Sequence, residues 1–163
     1  MNNIHLDVME NTAKAIAANP ELKMRKWAAN VQWKNGVQNE VKIRDFAPFF
    51  MDEPDTLGGT NIAANPVEVL IGAAASCFAI TFEVMASQKG IKLENVDVQI
   101  EADLNAAVFL GLEEGEGGIL NPVIRLKAVT SASKEQIEEV ARVAITKSPV
   151  VLSLNTDINL IVE

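Results

Sequence analysis

Fourteen residues, Val69 to Phe82, run without a charge between Glu68 and Glu83. As a helix they would extend about 21 Å, short of the roughly 30 Å hydrocarbon core of a bilayer. The run therefore predicts a helix buried in protein rather than a membrane span. Asn65-Pro66 opens it, with Asn as cap and Pro at the first helical position. Its end falls near Gln88, with Gly90 just beyond. From Val69 to Ile80 it is apolar all round except at Ser76, and such a helix has to be covered all round. A chain of 163 residues is one domain's worth of sequence. It covers one broad face of a long helix more readily than the whole circumference. Gly72, Ala73, Ala74 and Ala75 are small enough to admit a second helix closely. The expectation is a homodimer in which these helices cover one another. The alternative is a monomer whose sheet curls around the helix.

The flanking segments change period. Leu6, Met9, Ala13, Ile16 and Ala17 form a helical stripe that stops at Asn19-Pro20. From Trp27 the period is two: Ala29, Val31 and Trp33 alternate with polar residues as far as Asn35-Gly36. Val37, Val41 and Ile43 follow on one face, which reads as a β-hairpin. Residues 45–64, with Pro48, Pro54 and Gly58-Gly59, read as an irregular loop. Val96, Val98, Ile100, Ala102 and Leu104 alternate with Asp97, Gln99, Glu101 and Asp103, a strand with one wet face. A loop over 106–121 with the acidic tip Glu113–Glu116 comes next, then a strand through Ile124, Leu126 and Ala128. Ser133 and Gln136 make a capping box for a helix ended by Ser148-Pro149. Ile158, Leu160 and Val162 form a closing strand. The order α-ββ-α-ββ-α-β has no regular βαβ alternation and predicts an α+β fold with largely antiparallel pairing. No repeat or linker divides residues 1–163, which read as a single domain.

Composition narrows the chemistry. Fourteen basic against 22 acidic side chains leave a net charge of −8, which disfavours nucleic acid and anionic membrane as partners. One Cys excludes an internal disulfide framework and a Cys-rich metal site. One His, the residue at position 5 ahead of the first helix, reads as solvated, and there is no Tyr. No cofactor or metal is expected. Gly58-Gly59 lacks the Gly-Lys-Ser/Thr of a phosphate loop. The first residues, Met1 to His5, have no basic stretch followed by an apolar one, and the expected compartment is the cytoplasm. Cys77, inside the apolar run, is the one obvious nucleophile.

The stretch from Asn65-Pro66 to Cys77-Phe78, with Asp52-Glu53-Pro54 and Gly58-Gly59 upstream and Ser148-Pro149-Val150 downstream, resembles the OsmC/Ohr family of osmotically induced and organic hydroperoxide resistance proteins. The resemblance covers residues 27–163, and residues 1–22 resemble a helical extension found in some OsmC-like members. It implies an intertwined α+β homodimer with two central helices. It also implies thiol peroxidase chemistry in oxidative stress defence. One Cys attacks an organic hydroperoxide, and a second, in a Cys-Pro pair after the later helix, resolves the product. Cys77 matches the first; Ser148 stands at the second. Turnover then needs an external thiol reductant. The family's Glu directly after Asn-Pro is Val67 here, with Glu68 one residue later. For the activating Arg, Arg44 is the nearest candidate, with Arg25 and Arg125 as others.

Each candidate has a plainer reading beside the functional one. Cys77 is either the nucleophile or a small buried hydrophobe, and mid-helix it gains little from the helix dipole. Glu68 sits where it can cap the helix. Nine residues from Cys77, it lies on the opposite face, so it can assist only by holding an Arg or from the partner chain. Ser148 either ends a helix or lies near the thiol. The acidic tip is a cation site or merely solvated, and Phe109, Leu110 and Leu112 wall a cleft or anchor their loop. The leading expectation is a single-Cys peroxidase. The alternative is a non-enzymatic dimer that binds a small apolar ligand between chains, and an acyl-transfer enzyme is disfavoured for want of a His base.

Overall fold

The computed structural model describes residues 1–154 and 156–163. Its elements are α1 (Leu6–Ala18), β1 (Asn30–Asn35), β2 (Gln38–Lys42), β3 (Phe49–Met51), α2 (Pro66–Gln88) and β4 (Leu93–Leu104). They continue with α3 (Ala106–Phe109), β5 (Ile119–Thr130), α4 (Lys134–Ile145), α5 (Pro149–Ser153) and β6 (Asn159–Val162). The chain forms two units, Val8–Leu70 and Met1–Asp7 with Ile71–Glu163. The α+β class with mainly antiparallel pairing is as expected. The exception is β6, which runs parallel to β5.

In the Val8–Leu70 unit the sheet order is β1-β2-β3, antiparallel throughout. The hairpin is where the sequence puts it, but the turn residues are Gly36 and Val37, with Asn35 paired to Gln38. Gly36, at φ +54°, takes the first central position, as in a type II′ turn. β3 lies inside the segment expected to be irregular. Phe49-Phe50-Met51 has no alternation to reveal a strand, and it is pairing to β2 that makes it one. Val31, Trp33, Val41, Phe49 and Met51 share a sheet face by register. Of these only Val41 is buried; Val31, Trp33 and Phe49 stay exposed.

After β3 the chain turns on Asp52. Its Oδ2 accepts from the Thr60 N–H (3.0 Å), the Thr60 hydroxyl (2.6 Å) and the Ile62 N–H (3.3 Å). Led by the Thr60 hydroxyl, these donors hold the buried carboxyl down at about 2, well below the ordinary 3.8. Gly58, at φ +81°, and Gly59 carry the chain back across the loop. A Cβ on Gly59 would lie 1.7 Å from the Glu53 carbonyl oxygen, so no side chain fits there. The loop ends on Asn65, which starts α2.

In the larger unit the order is β4-β5-β6. Ala74, Phe78, Phe82 and Ala86 of α2 form a stripe at i, i+4, i+8 and i+12. They pack in one core with Ile124 and Leu126 of β5 and Val140, Ala141 and Ala144 of α4. The Phe78 and Phe82 rings stack at 6.3 Å. β4 has the expected alternation as far as Ala102, with Val96, Val98, Ile100 and Ala102 half-buried and the acids between them exposed, while Leu104 at its end is exposed. The loop expected over 106–121 holds α3, capped by Asn105, and the first residues of β5. A bulge at Asn121-Pro122 sets the β4–β5 register there. Asn121 takes φ +49°, and the buried Pro122 sits where no ladder N–H is needed. Ser133 and Gln136 make the capping box at α4. Ser148-Pro149 ends that helix and at once begins α5.

Two helices keep apolar surface that their own chain leaves open. The stripe of α1 is not a buried face: Leu6 and Ile16 are half-buried and no residue of that helix is buried. The 23-residue α2, long and apolar enough by composition to cross a bilayer, is not covered all round within its own chain. One arc is sealed in the core, while Leu70, Gly72, Ala73, Ser76 and Ile80 (58%) are exposed.

Two outcomes follow. Phe82→Ala empties a fully buried position and should cost about 3–5 kcal/mol, measured by urea unfolding. Asp52→Asn removes the charged acceptor of the loop and should lower Tm at pH 7. Because the native carboxyl titrates near 2 against 3.8 unfolded, the stabilisation is present above 3.8 and is lost as pH falls toward 2. The Tm gap between the two proteins should therefore close on acidification; a constant gap would remove the carboxylate as its source.

Candidate functional site around Cys77

Helix α2 places Cys77 three turns from its start. The reason for a firm start is local. Asn65 Oδ1 accepts from the Glu68 N–H (2.8 Å), and Glu68 Oε2 accepts from the Asn65 N–H (2.8 Å). This reciprocal cap satisfies two otherwise orphaned donors and sets a carboxylate at the positive helix end. One carboxylate oxygen of Glu68 is thus engaged as the plainer sequence reading has it. About 100° per residue puts Glu68 and Cys77 on opposite sides of the helix.

Cys77 is half-buried and belongs to neither arc of α2 outright. Phe78, its neighbour, points into the core; Ser76 and Ile80 belong to the exposed arc. The thiol therefore borders the uncovered apolar face. The Thr81 hydroxyl donates to the Cys77 carbonyl (2.8 Å), as Ser87 does to Glu83 (2.7 Å). These hydroxyls are spent on the helix's own backbone.

Ser148 is fully buried, and its hydroxyl donates to the Ala144 carbonyl (2.7 Å). Arg44, in the Val8–Leu70 unit, takes φ +48° just after β2. Its guanidinium lies 4.6 Å from the Phe46 ring centre and 6.0 Å from that of Trp27. The rings fix the position of a permanent cation without neutralising it. Arg125 pairs instead with Glu101 across the β4–β5 ladder (2.8 Å). Among the described residues no group of three or more His, Cys, Asp or Glu side chains could hold a metal ion.

Sequence reasoning passed over Asn2 and Glu83. The Asn2 carboxamide donates to the Ser87 hydroxyl (2.8 Å) and the Ile91 carbonyl (2.9 Å) and accepts from the Leu93 N–H (3.0 Å). It ties the first residues to the end of α2 and the start of β4. Beside it a cavity of about 410 Å³ is lined by Asn3, Ile4, Glu83 and Glu94, and burial pushes the Glu83 carboxyl up from its ordinary value. No local pattern marks Asn2, because its partners lie 85 to 91 residues away. Glu83 had a visible signal, as the acid that ends the uncharged run.

Comparison with known proteins supplies the family. The family model described as OsmC-like protein matches residues 58–163. A curated relative, the uncharacterized protein YmaD of Bacillus subtilis (strain 168), is 35% identical over 52 residues, 32% of this chain and 35% of its own length. The match thus spans about a third of that relative. Among solved structures, an OsmC-like protein from Mycoplasma pneumoniae superposes with TM-score 0.74 at 16% identity, covering 85% of this chain and 96% of that one. The organic hydroperoxide resistance protein OsmC from Legionella pneumophila gives TM-score 0.66 at 23% identity, covering 86% and 98%. These structural likenesses concern the fold. The family model matches about two thirds of this chain, residues 58–163, and the chain belongs to the OsmC-like protein family.

Proposed function

We propose that this protein is a single-cysteine, thiol-dependent peroxidase that reduces organic hydroperoxides in the cytoplasm, working as an intertwined homodimer of one OsmC-like domain per chain. The observation that carries the reading is Cys77 itself. It is half-exposed and borders an apolar helix face that its own chain leaves uncovered, in a chain of this family. An apolar surface beside a thiol suits the alkyl part of a hydroperoxide, and a second copy would turn that surface into a cleft. A name given to the Legionella neighbour, organic hydroperoxide resistance protein, points the same way.

The chemistry follows from the side chains. The Cys77 thiolate attacks the terminal peroxide oxygen, the O–O bond breaks, and the departing alkoxide takes a proton to leave as an alcohol. The sulfur is oxidised to a sulfenic acid. The sequence holds one Cys per chain, so two equivalents of an external thiol return it to the thiol, releasing water and the reductant's disulfide. Arg44 is the cation this reading assigns to the thiolate, and Glu68 acts by fixing the start of α2.

The test is peroxide consumption. Purified protein with cumene hydroperoxide and dithiothreitol should consume peroxide, and Cys77→Ser should fall to the rate of buffer alone. Equal loss in both would reject the mechanism. Arg44→Ala should slow peroxide consumption; an unchanged rate would take Arg44 out of this role.

A further inference from the structure

The tip of the β4–β5 hairpin is built to face outward. Asn105 Oδ1 accepts from the Ala107 and Val108 N–H groups, and its Nδ2 donates to Glu113 Oε1 (2.6 Å). Leu112 N–H closes the turn on the Ala107 carbonyl (2.8 Å), and Gly111 takes φ +71°. Gly115 passes so near Val108 that a Cβ there would lie 3.1 Å from that side chain. Val108 is thereby half-buried, while Phe109 (60%), Leu110 and Leu112 (77%) are turned out together. Glu113, Glu114 and Glu116 stand next to them in sequence. A tip this closely hydrogen-bonded does not expose three large apolar side chains by slackness.

The same chain carries a segment of the opposite kind. Between Leu22 and Trp27, Lys23, Arg25 and Lys26 are interleaved with Leu22, Met24 (79%) and Trp27 (76%), all exposed. The Arg44 guanidinium near the Trp27 ring adds a further positive charge. Among the described residues, none of these three acids and none of these three bases takes part in an ion pair.

We infer that the apolar, acidic tip of one copy docks on the basic, apolar Leu22–Trp27 segment of a second copy. Charge complementarity selects this occupant. Copies with a net charge of −8 repel one another at long range, and a contact that sets acid against base offsets that repulsion locally. Phe109, Leu110 and Leu112 meet Leu22, Met24 and Trp27, where thioether and aromatic surfaces adapt to each other. A two-fold axis makes the contact twice and closes the pair. An anionic lipid surface, by contrast, would repel the tip.

The inference rests on the homodimer reading above, and a charge swap tests it separately. Glu113 is left in place because it braces the tip. The tip variant carries E114K and E116K, and the segment variant carries R25E and K26E. Self-association is read by sedimentation equilibrium at low and high salt. Each variant alone should associate at least about tenfold more weakly than the parent protein. An equimolar mixture of the two, and one chain carrying all four changes, should both recover the lost affinity. Raising salt should weaken the parent more than the two-change variants. A parent that stays monomeric would overturn the homodimer reading and this contact together. A dimeric parent whose variants associate equally well would overturn this contact alone. Recovery in the four-change chain without recovery in the mixture would place the pairing within one chain and overturn the second-copy docking.

Discussion

A helix that is apolar around its full circumference sets the terms for this protein. The core of its own chain takes one arc of α2, through Ala74, Phe78, Phe82 and Ala86, and the two phenylalanines fill the centre of that core. The arc through Leu70, Ala73, Ser76 and Ile80 is left as hydrocarbon facing water. Burying an aliphatic side chain of this size is worth roughly 1.5–3 kcal/mol, so such a face is costly to leave bare. The β1–β2–β3 sheet has the same imbalance, with Val31, Trp33 and Phe49 uncovered on the face where Val41 is sealed. Neither face is scattered surface hydrophobicity: the first adjoins the buried arc of α2, and the second surrounds the buried Val41 on one sheet face. That is the physical ground for reading the molecule as half of a larger assembly.

In the proposed reading, Cys77 matters because of where that imbalance leaves it. A thiol deep in the core would be inert, and one on a polar surface would have no affinity for an alkyl peroxide. On the border between sealed and uncovered arcs it has an apolar wall on one side and an approach on the other. Two other hydroxyls are committed to backbone carbonyls. Thr81 bonds to the backbone of its own helix, and Ser148 turns back to Ala144.

Much of this architecture can be read from local chemistry. Asn65 with Glu68 and Ser133 with Gln136 each state a helix start within four residues, and both caps form as written. The strict alternation of β4 is as legible. What escapes is whatever depends on distant partners. β3 has no period of its own and exists through β2, α3 exists through the Asn105 cap inside an otherwise featureless loop, and Asn2 acts on residues far along the chain. At the candidate site, Cys77 and the cap role of Glu68 can be read directly. The ring-held setting of Arg44 cannot, because it needs Trp27 and Phe46 brought together from either side of a hairpin.

The two adjacent glycines before α2 look interchangeable in sequence, yet they answer to different demands. At Gly58 the backbone is left-handed and a Cβ would meet open space, so asparagine, which tolerates that conformation, is an acceptable replacement. At Gly59 the obstacle is the Glu53 carbonyl itself, which cannot swing aside as a flexible side chain can. Tolerance to replacement in this loop is therefore asymmetric: position 58 accepts a few residue types, while any side chain at position 59 is excluded by the backbone.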